Sequence, residues 1–272
     1  MKAKHLSIII LFALSAAVVG QPRRMAAQSD SCGYRAEVYV SAGGDSLPYR
    51  LLKPDSVVPG QRYPLVLFLH GAGERGGDNR AQLRHGATLF ADSDARRQFP
   101  AYVLFPQCPA DDFWPAVLRT DHFAGGSNPF PGPGYGMSRA LRLADELTEQ
   151  TIARYPIDTG RVYVVGLSMG GMGVFDWVCR RPERFAAAVA ICGGVNVCRL
   201  EPLRTRTRFR VFHGDADSVV PVRFSREAVG ALRRAGVEVE YVELSGVGHG
   251  SWYAAFRRPD FLPWLFKAKN EN

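Results

Sequence analysis

The sequence predicts an α/β protein: a central, mostly parallel sheet with helices on both faces. Pro64-Leu65-Val66-Leu67-Phe68-Leu69 and Val162-Tyr163-Val164-Val165 are continuously apolar, as strands covered on both faces must be. Helical patterns fall between such runs, the alternation that builds parallel crossovers. The 272 residues are enough for one sizeable core, and no linker divides them.

Taken in order, Lys2 and Lys4 precede an apolar stretch at 6–20, the layout of a secretory signal peptide and short for a membrane span. Cleavage after Gly20 or Ala27 fits small-residue rules, so 1–27 is expected to be a leader, 30–272 the folded domain, and the destination secreted or periplasmic. Residues 34–40 and 47–52 read as an antiparallel opening pair, followed by strands at 65–69, 102–105, 161–165, 187–191, 209–212 and 237–244. The clearest helix is 138–155, with Leu141, Leu143, Ala144, Leu147 and Ile152 grouped on one face and Pro156 stopping it. Residues 111–136, rich in glycine, proline and aromatics, form an insertion expected to act as a lid or pocket rim.

Gly166-Leu167-Ser168-Met169-Gly170 lies where an apolar strand turns into an amphipathic stretch. A serine at the apex of a sharp strand-to-helix turn is exposed for attack, and its neighbours must lack bulk; Ser168 is therefore the candidate nucleophile. A base and an acid should follow it along the chain, and only His213 and His249 lie beyond Ser168. Phe212-His213-Gly214-Asp215-Ala216-Asp217 places two aspartates in the loop after a strand; if either is the acid, His249, in the glycine-rich loop Gly246-Val247-Gly248-His249-Gly250, is the base and His213 is structural. Asp215 and Asp217 alternate like the opening of a calcium loop, but the remaining ligands and closing glutamate are missing, so no metal is assigned.

The strand at 65–69 feeds His70-Gly71-Ala72-Gly73-Glu74-Arg75-Gly76. Two fixed amides aimed at a developing oxyanion each contribute about 3 kcal/mol, and the amides of Ala72 and Met169 are the candidate donors. Glu74 and Arg75 form an ion pair that holds this loop or are merely solvated. Gln107 and Trp114 follow another strand and are candidate pocket residues, and Trp252, close to His249 in sequence, is the better wall.

The net charge of +8 brings no nucleic-acid motif with it. Its one cluster, Arg204, Arg206, Arg208 and Arg210, alternates as a solvated strand edge would. Five cysteines, Cys32, Cys108, Cys179, Cys192 and Cys198, lack zinc-site spacing. Cys192 and Cys198 either close a short loop or stay as buried thiols; an odd number leaves at least one unpaired within the chain.

Leu69-His70-Gly71-Ala72-Gly73-Glu74-Arg75-Gly76, Phe105-Pro106-Gln107-Cys108-Pro109, Arg161 through Gly171, His213-Gly214 to Val220-Pro221, and Gly248-His249 with Ser251-Trp252 together resemble the secreted esterases of the alpha/beta-hydrolase superfamily, described as phospholipase/carboxylesterase-like or predicted peptidases. The resemblance covers almost all of the chain after the leader. It implies the alpha/beta-hydrolase fold, a serine hydrolase with the triad Ser168, Asp217 and His249, no cofactor, and a small-molecule or polysaccharide ester as substrate. Relatives include feruloyl and acetyl-xylan esterases and polyhydroxyalkanoate depolymerase-like enzymes. A serine peptidase is the mechanistic neighbour, and a non-catalytic binding protein on the same scaffold is the competing class. Neither the acyl and alcohol groups nor the oligomeric state is legible.

Overall fold

A computed structural model describes residues 32–117 and 129–270. The leader expected at 1–27 and residues 118–128 of the expected lid lie outside the described residues. The eight strands are β1 (Arg35–Val40), β2 (Ser46–Leu52), β3 (Tyr63–Leu69), β4 (Tyr102–Pro106), β5 (Ile157–Leu167), β6 (Ala187–Ile191), β7 (Arg208–Gly214) and β8 (Val239–Leu244). They form one sheet in the order β1-β2-β4-β3-β5-β6-β7-β8. The opening hairpin pairs antiparallel, and every pair from β4 to β8 is parallel. This is the alpha/beta-hydrolase fold.

The continuous apolar runs divide by parity, because successive side chains on a strand point to opposite faces. Leu65, Leu67 and Leu69 of β3 and Val162 and Val164 of β5 enter one core. Val66, Phe68, Tyr163 and Val165 enter the other. The first core packs against α3 (Arg139–Arg154), α4 (Met169–Arg180) and α5 (Arg223–Arg234). The second packs against α1 (Ala87–Ala91), α6 (Trp252–Phe256) and α7 (Phe261–Lys267), while α2 (Ser93–Gln98) follows α1 on the same side. Ser138 caps α3, its Oγ accepting from the Leu141 amide at 3.1 Å.

Two expectations need correction. β7 lies inside the sheet, between β6 and β8, so its arginines are not a solvated edge. Arg210 is 3 % exposed, pairs with Glu240 at 2.8 Å and Asp260 at 3.0 Å, and lies over the Trp264 ring. β5 begins at Ile157 rather than Arg161 because Ile157 already pairs with Tyr63 before the register shifts.

Candidate active site

All parallel strands end on one side of the sheet, where open α/β sheets gather their functional loops. β5 ends there and turns directly into α4 at Ser168, whose backbone has φ 52° and ψ −119°. That region is strained for a residue with a side chain. The turn is held by the Ser168 amide donating to the Ile191 carbonyl at 2.8 Å and by the Met172 amide donating to the Ser168 carbonyl at 3.0 Å. Gly166 and Gly170 serve close approach rather than unusual dihedrals, since neither has a positive φ. A Cβ at Gly170 would lie 1.9 Å from the Leu69 carbonyl oxygen, and one at Gly166 would lie 2.3 Å from the Gly170 carbonyl oxygen.

His249 reaches Ser168 from the loop after β8. Its Nε2 is 2.9 Å from Ser168 Oγ, and its Nδ1 is 2.8 Å from Asp217 Oδ2. Of the two aspartates, the structure brings Asp217 to His249, while Asp215 Oδ1 accepts from the Gly246 amide at 2.7 Å and ties the base's loop to the end of β7. The Asp217 carboxylate also accepts from the Val219 and Val220 amides at 2.8 and 2.9 Å. Burial alone would raise its pKa, but hydrogen bonds from His213, His249 and these amides outweigh that and hold it below the usual carboxylate range. It therefore stays anionic and accepts from Nδ1, which leaves Nε2 unprotonated toward the serine.

His213 does more than fill the core. Its side chain is wholly buried, with Nε2 3.2 Å from Asp217 Oδ2 and 2.9 Å from the Val220 carbonyl. Its Nδ1 is 2.7 Å from Ser225 Oγ on α5. The carboxylate is thus gripped by two imidazoles. No local motif signals the second one, because the contact depends on how the 217–220 loop folds back over β7.

The loop after β3 lies against Ser168: a Cβ at Gly71 would be 3.7 Å from Ser168 Cβ. Ala72 follows it, and Met169 opens α4, where the first amides of a helix have no partner within it. The loop is fixed from below by His70, whose Nε2 accepts from the Cys108 amide at 2.9 Å, so Nδ1 carries the proton and donates to the Gly71 carbonyl at 2.6 Å. Burial lowers the His70 pKa to about 4, against the raising effect of the Gly71 bond.

Gln107 and Trp114 belong to this support and not to a pocket wall. Both are fully buried. Gln107 Nε2 donates to the Glu74 carbonyl at 3.1 Å and Asp78 Oδ1 at 2.8 Å, and its Oε1 accepts from the Asn79 amide at 2.7 Å. Trp114 Nε1 donates to the His70 carbonyl at 3.1 Å, and its Cβ is where a side chain on Gly173 would collide. The Glu74–Arg75 ion pair is also corrected. Glu74 faces Arg84 and His85, whereas Arg75 donates to the Ala72 carbonyl at 3.1 Å and lies over the Phe113 ring.

Trp252, half-buried, stands edge-on to His249 with ring centroids 5.5 Å apart. Phe130, Met172, Val220 and Phe224 form a small apolar cluster beside α4 and the 217–220 loop; sequence reading missed it because its members come from four separate segments. All five cysteines are unpaired, with Cys192 buried and Cys198 exposed, so the short Cys192–Cys198 loop is not closed. Cys192, Asp217 and His249 have their ligand atoms within 4.8 Å of one another, the one such grouping among the described residues. Its carboxylate and imidazole atoms are engaged in the relay to Ser168.

The sequence profile of the Phospholipase/Carboxylesterase family matches residues 134–259. A probable inactive carboxylesterase from Oryza sativa subsp. japonica is 26% identical over 200 residues, covering 71% of this chain and 80% of that protein. Acyl-protein thioesterase 1 from Neurospora crassa is 26% identical over 223 residues, covering 73% of this chain and 86% of that protein. Among solved structures, a thermostable esterase superposes with a TM-score of 0.78 at 36% identity over 87% of this chain; the chain spans 63% of that structure's length. Fold, family profile and relatives converge: the chain is a hydrolase of the alpha/beta-hydrolase fold, similar to the phospholipase/carboxylesterase family over residues 134–259.

Proposed function

We propose that the chain is a serine esterase that cleaves carboxylic esters through an acyl-enzyme on Ser168, acting on ester-substituted polysaccharide or related esters after export. One observation carries the chemistry: Ser168 at a strained strand-to-helix turn, hydrogen-bonded in series to His249 and the buried Asp217. His249 Nε2 takes the Ser168 proton as Oγ attacks the carbonyl carbon. The oxyanion that forms faces the Ala72 and Met169 amides. Collapse breaks the ester bond, His249 returns the proton to the departing alkoxide, and a water repeats the cycle to release the acid. Asp217 keeps the imidazole in the working tautomer and stabilises it when charged.

An amide is harder to cleave by this route, because its amine leaves only after protonation and needs tighter alignment of an extended substrate. That favours esters over peptides. The basic, apolar start of the sequence supports export.

The test is hydrolysis of 4-nitrophenyl acetate by purified protein. Ser168→Ala is expected to lose on the order of a thousandfold or more in turnover, and adding His249→Ala should lower it little further. Near-native turnover in folded Ser168→Ala would end the proposal. An ester and an amide sharing one acyl group separate esterase from peptidase, the ester being expected to show the higher kcat/KM. N-terminal sequencing of protein recovered outside the cytoplasm tests export: a start after Gly20 or Ala27 supports it, an intact Met1 contradicts it.

A further inference from the structure

Trp252 faces more than His249. It also lines an open cavity of about 300 Å³, together with Arg84, His85, Tyr253, Phe256 and Arg257. Two larger hollows, of 440 and 620 Å³, are lined by residues at the starts of β3 and β7 and by the C-terminal segment, at the opposite end of the sheet from Ser168. The cavity at Trp252, by contrast, is linked to the candidate active site by two routes of side-chain contact. Through the base, the Trp252 ring is 5.5 Å from His249 and 5.2 Å from His85. Through the loop after β3, Glu74 Oε1 lies 3.7 Å from His85 Nε2. The other oxygen of Glu74 is 3.1 Å from the Cβ position of Gly71, which is itself 3.7 Å from Ser168 Cβ. Both routes start at the reacting side chains and end on the cavity's walls.

Those walls combine rings with positive charge. His85 packs on Trp252 and edge-on to Tyr253, giving a surface that accepts a flat ring. Arg84 and Arg257 stand at the cavity, which has no carboxylate among its lining residues, and Glu74, beside His85, is buried and already faces Arg84 at 3.5 Å. Arg257 is exposed and forms no ion pair among the described residues. A neutral ring would leave this guanidinium unused, whereas a ring-borne carboxylate can take its paired N–H donors.

We infer that this cavity is a substrate subsite, resting on the esterase reading, that receives a ring carrying a carboxylate at the end of the ester remote from the scissile bond. The ring is held against Trp252 and Tyr253, and Arg257 binds the carboxylate. An aryl carboxylate and a uronate sugar share this chemistry, and the test separates them.

The first arm compares 4-acetoxybenzoate with 4-acetoxybenzamide, each rate divided by that ester's hydroxide-catalysed rate. The anion is expected to be favoured about tenfold in kcat/KM, chiefly through KM, as a charged hydrogen-bonded contact would give. In Arg257→Gln the ratio should fall toward one, while Arg233→Gln, which removes the same charge from α5, should leave it in place. The second arm compares an O-acetylated methyl glucuronoside with the matching glucoside, and the pair showing the larger discrimination identifies the source. Calorimetry of 4-hydroxybenzoate against 4-hydroxybenzamide on Ser168→Ala protein reads the subsite without turnover, and the anion is expected to bind about tenfold tighter. Equal handling of both members in both arms, with equal binding, overturns the subsite even if 4-nitrophenyl acetate is hydrolysed. Failure to hydrolyse any ester overturns the esterase reading and leaves the calorimetric result to decide the subsite.

Discussion

The turn at Ser168 and the loop after β3 face each other across the candidate active site, and they are held by opposite means. The turn is fixed by backbone against backbone, with Gly166 and Gly170 placed where a single Cβ would collide with a carbonyl. The loop is fixed by side-chain hydrogen bonds to a distant segment: His70, at its start, accepts from the Cys108 amide, and Gln107 is bonded to Glu74, Asp78 and Asn79. One region is specified by glycines that let the backbone of Leu69 and Ile191 close around the turn. The other depends on partners about thirty positions away, so the two should fail differently when altered.

The largest expected effect is in the turn. Gly170→Ala places a methyl group 1.9 Å from the Leu69 carbonyl oxygen, and neither backbone can withdraw without opening the join between α4 and β3. Loss of about 4 kcal/mol or more is expected, the range reserved for severe clashes. Thermal melting checks it, and a melting temperature within a few degrees of the parent would show that the turn has slack.

A smaller and different effect is expected in the loop. Gln107→Ala removes three hydrogen bonds and strands the Asn79 amide, a loss of about 1–3 kcal/mol. Because the loop carries the Ala72 amide, turnover should fall about tenfold to a hundredfold while Ser168 stays reactive toward a fluorophosphonate. Equal loss of labelling and turnover would mean the two regions are not separately supported.

The loop should also carry a pH dependence that the turn lacks. His70 has its folded pKa lowered from 6.5 to about 4, so folding favours the neutral ring. Its contribution is complete above about pH 6.5 and is lost progressively as the pH falls to about 4, amounting to roughly 3 kcal/mol in all. Melting temperature recorded across that window should fall in the parent and fall less in His70→Gln, whose amide can still accept from Cys108 but does not titrate. An identical slope in both proteins would remove His70 as the cause.

The smallest of these effects concerns His213. His213→Asn withdraws one of the donors to Asp217 and leaves His249 and two amides in place. A loss of about tenfold in turnover is expected, with the acid limb of the rate profile displaced because the carboxylate is less firmly held anionic. A matched loss of stability with no change in the profile would make the residue purely structural.

What could be read from the sequence follows the same division. The strands were legible because doubly covered strands write their burial as unbroken apolar runs, as in 64–69 and 162–165. Ser168 and the two candidate acids were legible because a strand-to-helix turn and a strand-end loop are local patterns. Choosing Asp217 over Asp215 took the fold, or the family resemblance, since both lie in one loop. Gln107 and Trp114 were misread as pocket residues: lying near a site says nothing about which way a side chain points. Arg210 was misread as an edge residue because strand order is set by crossovers, not by the strand itself.

The most direct test is where a fluorophosphonate attaches. Intact-mass and peptide mapping should find one adduct per chain, on Ser168, with labelling slowed strongly in His249→Ala and Asp217→Asn and little changed in Asp215→Asn. An adduct on another residue, or none in protein that hydrolyses 4-nitrophenyl acetate, would contradict the assignment of Ser168 as nucleophile.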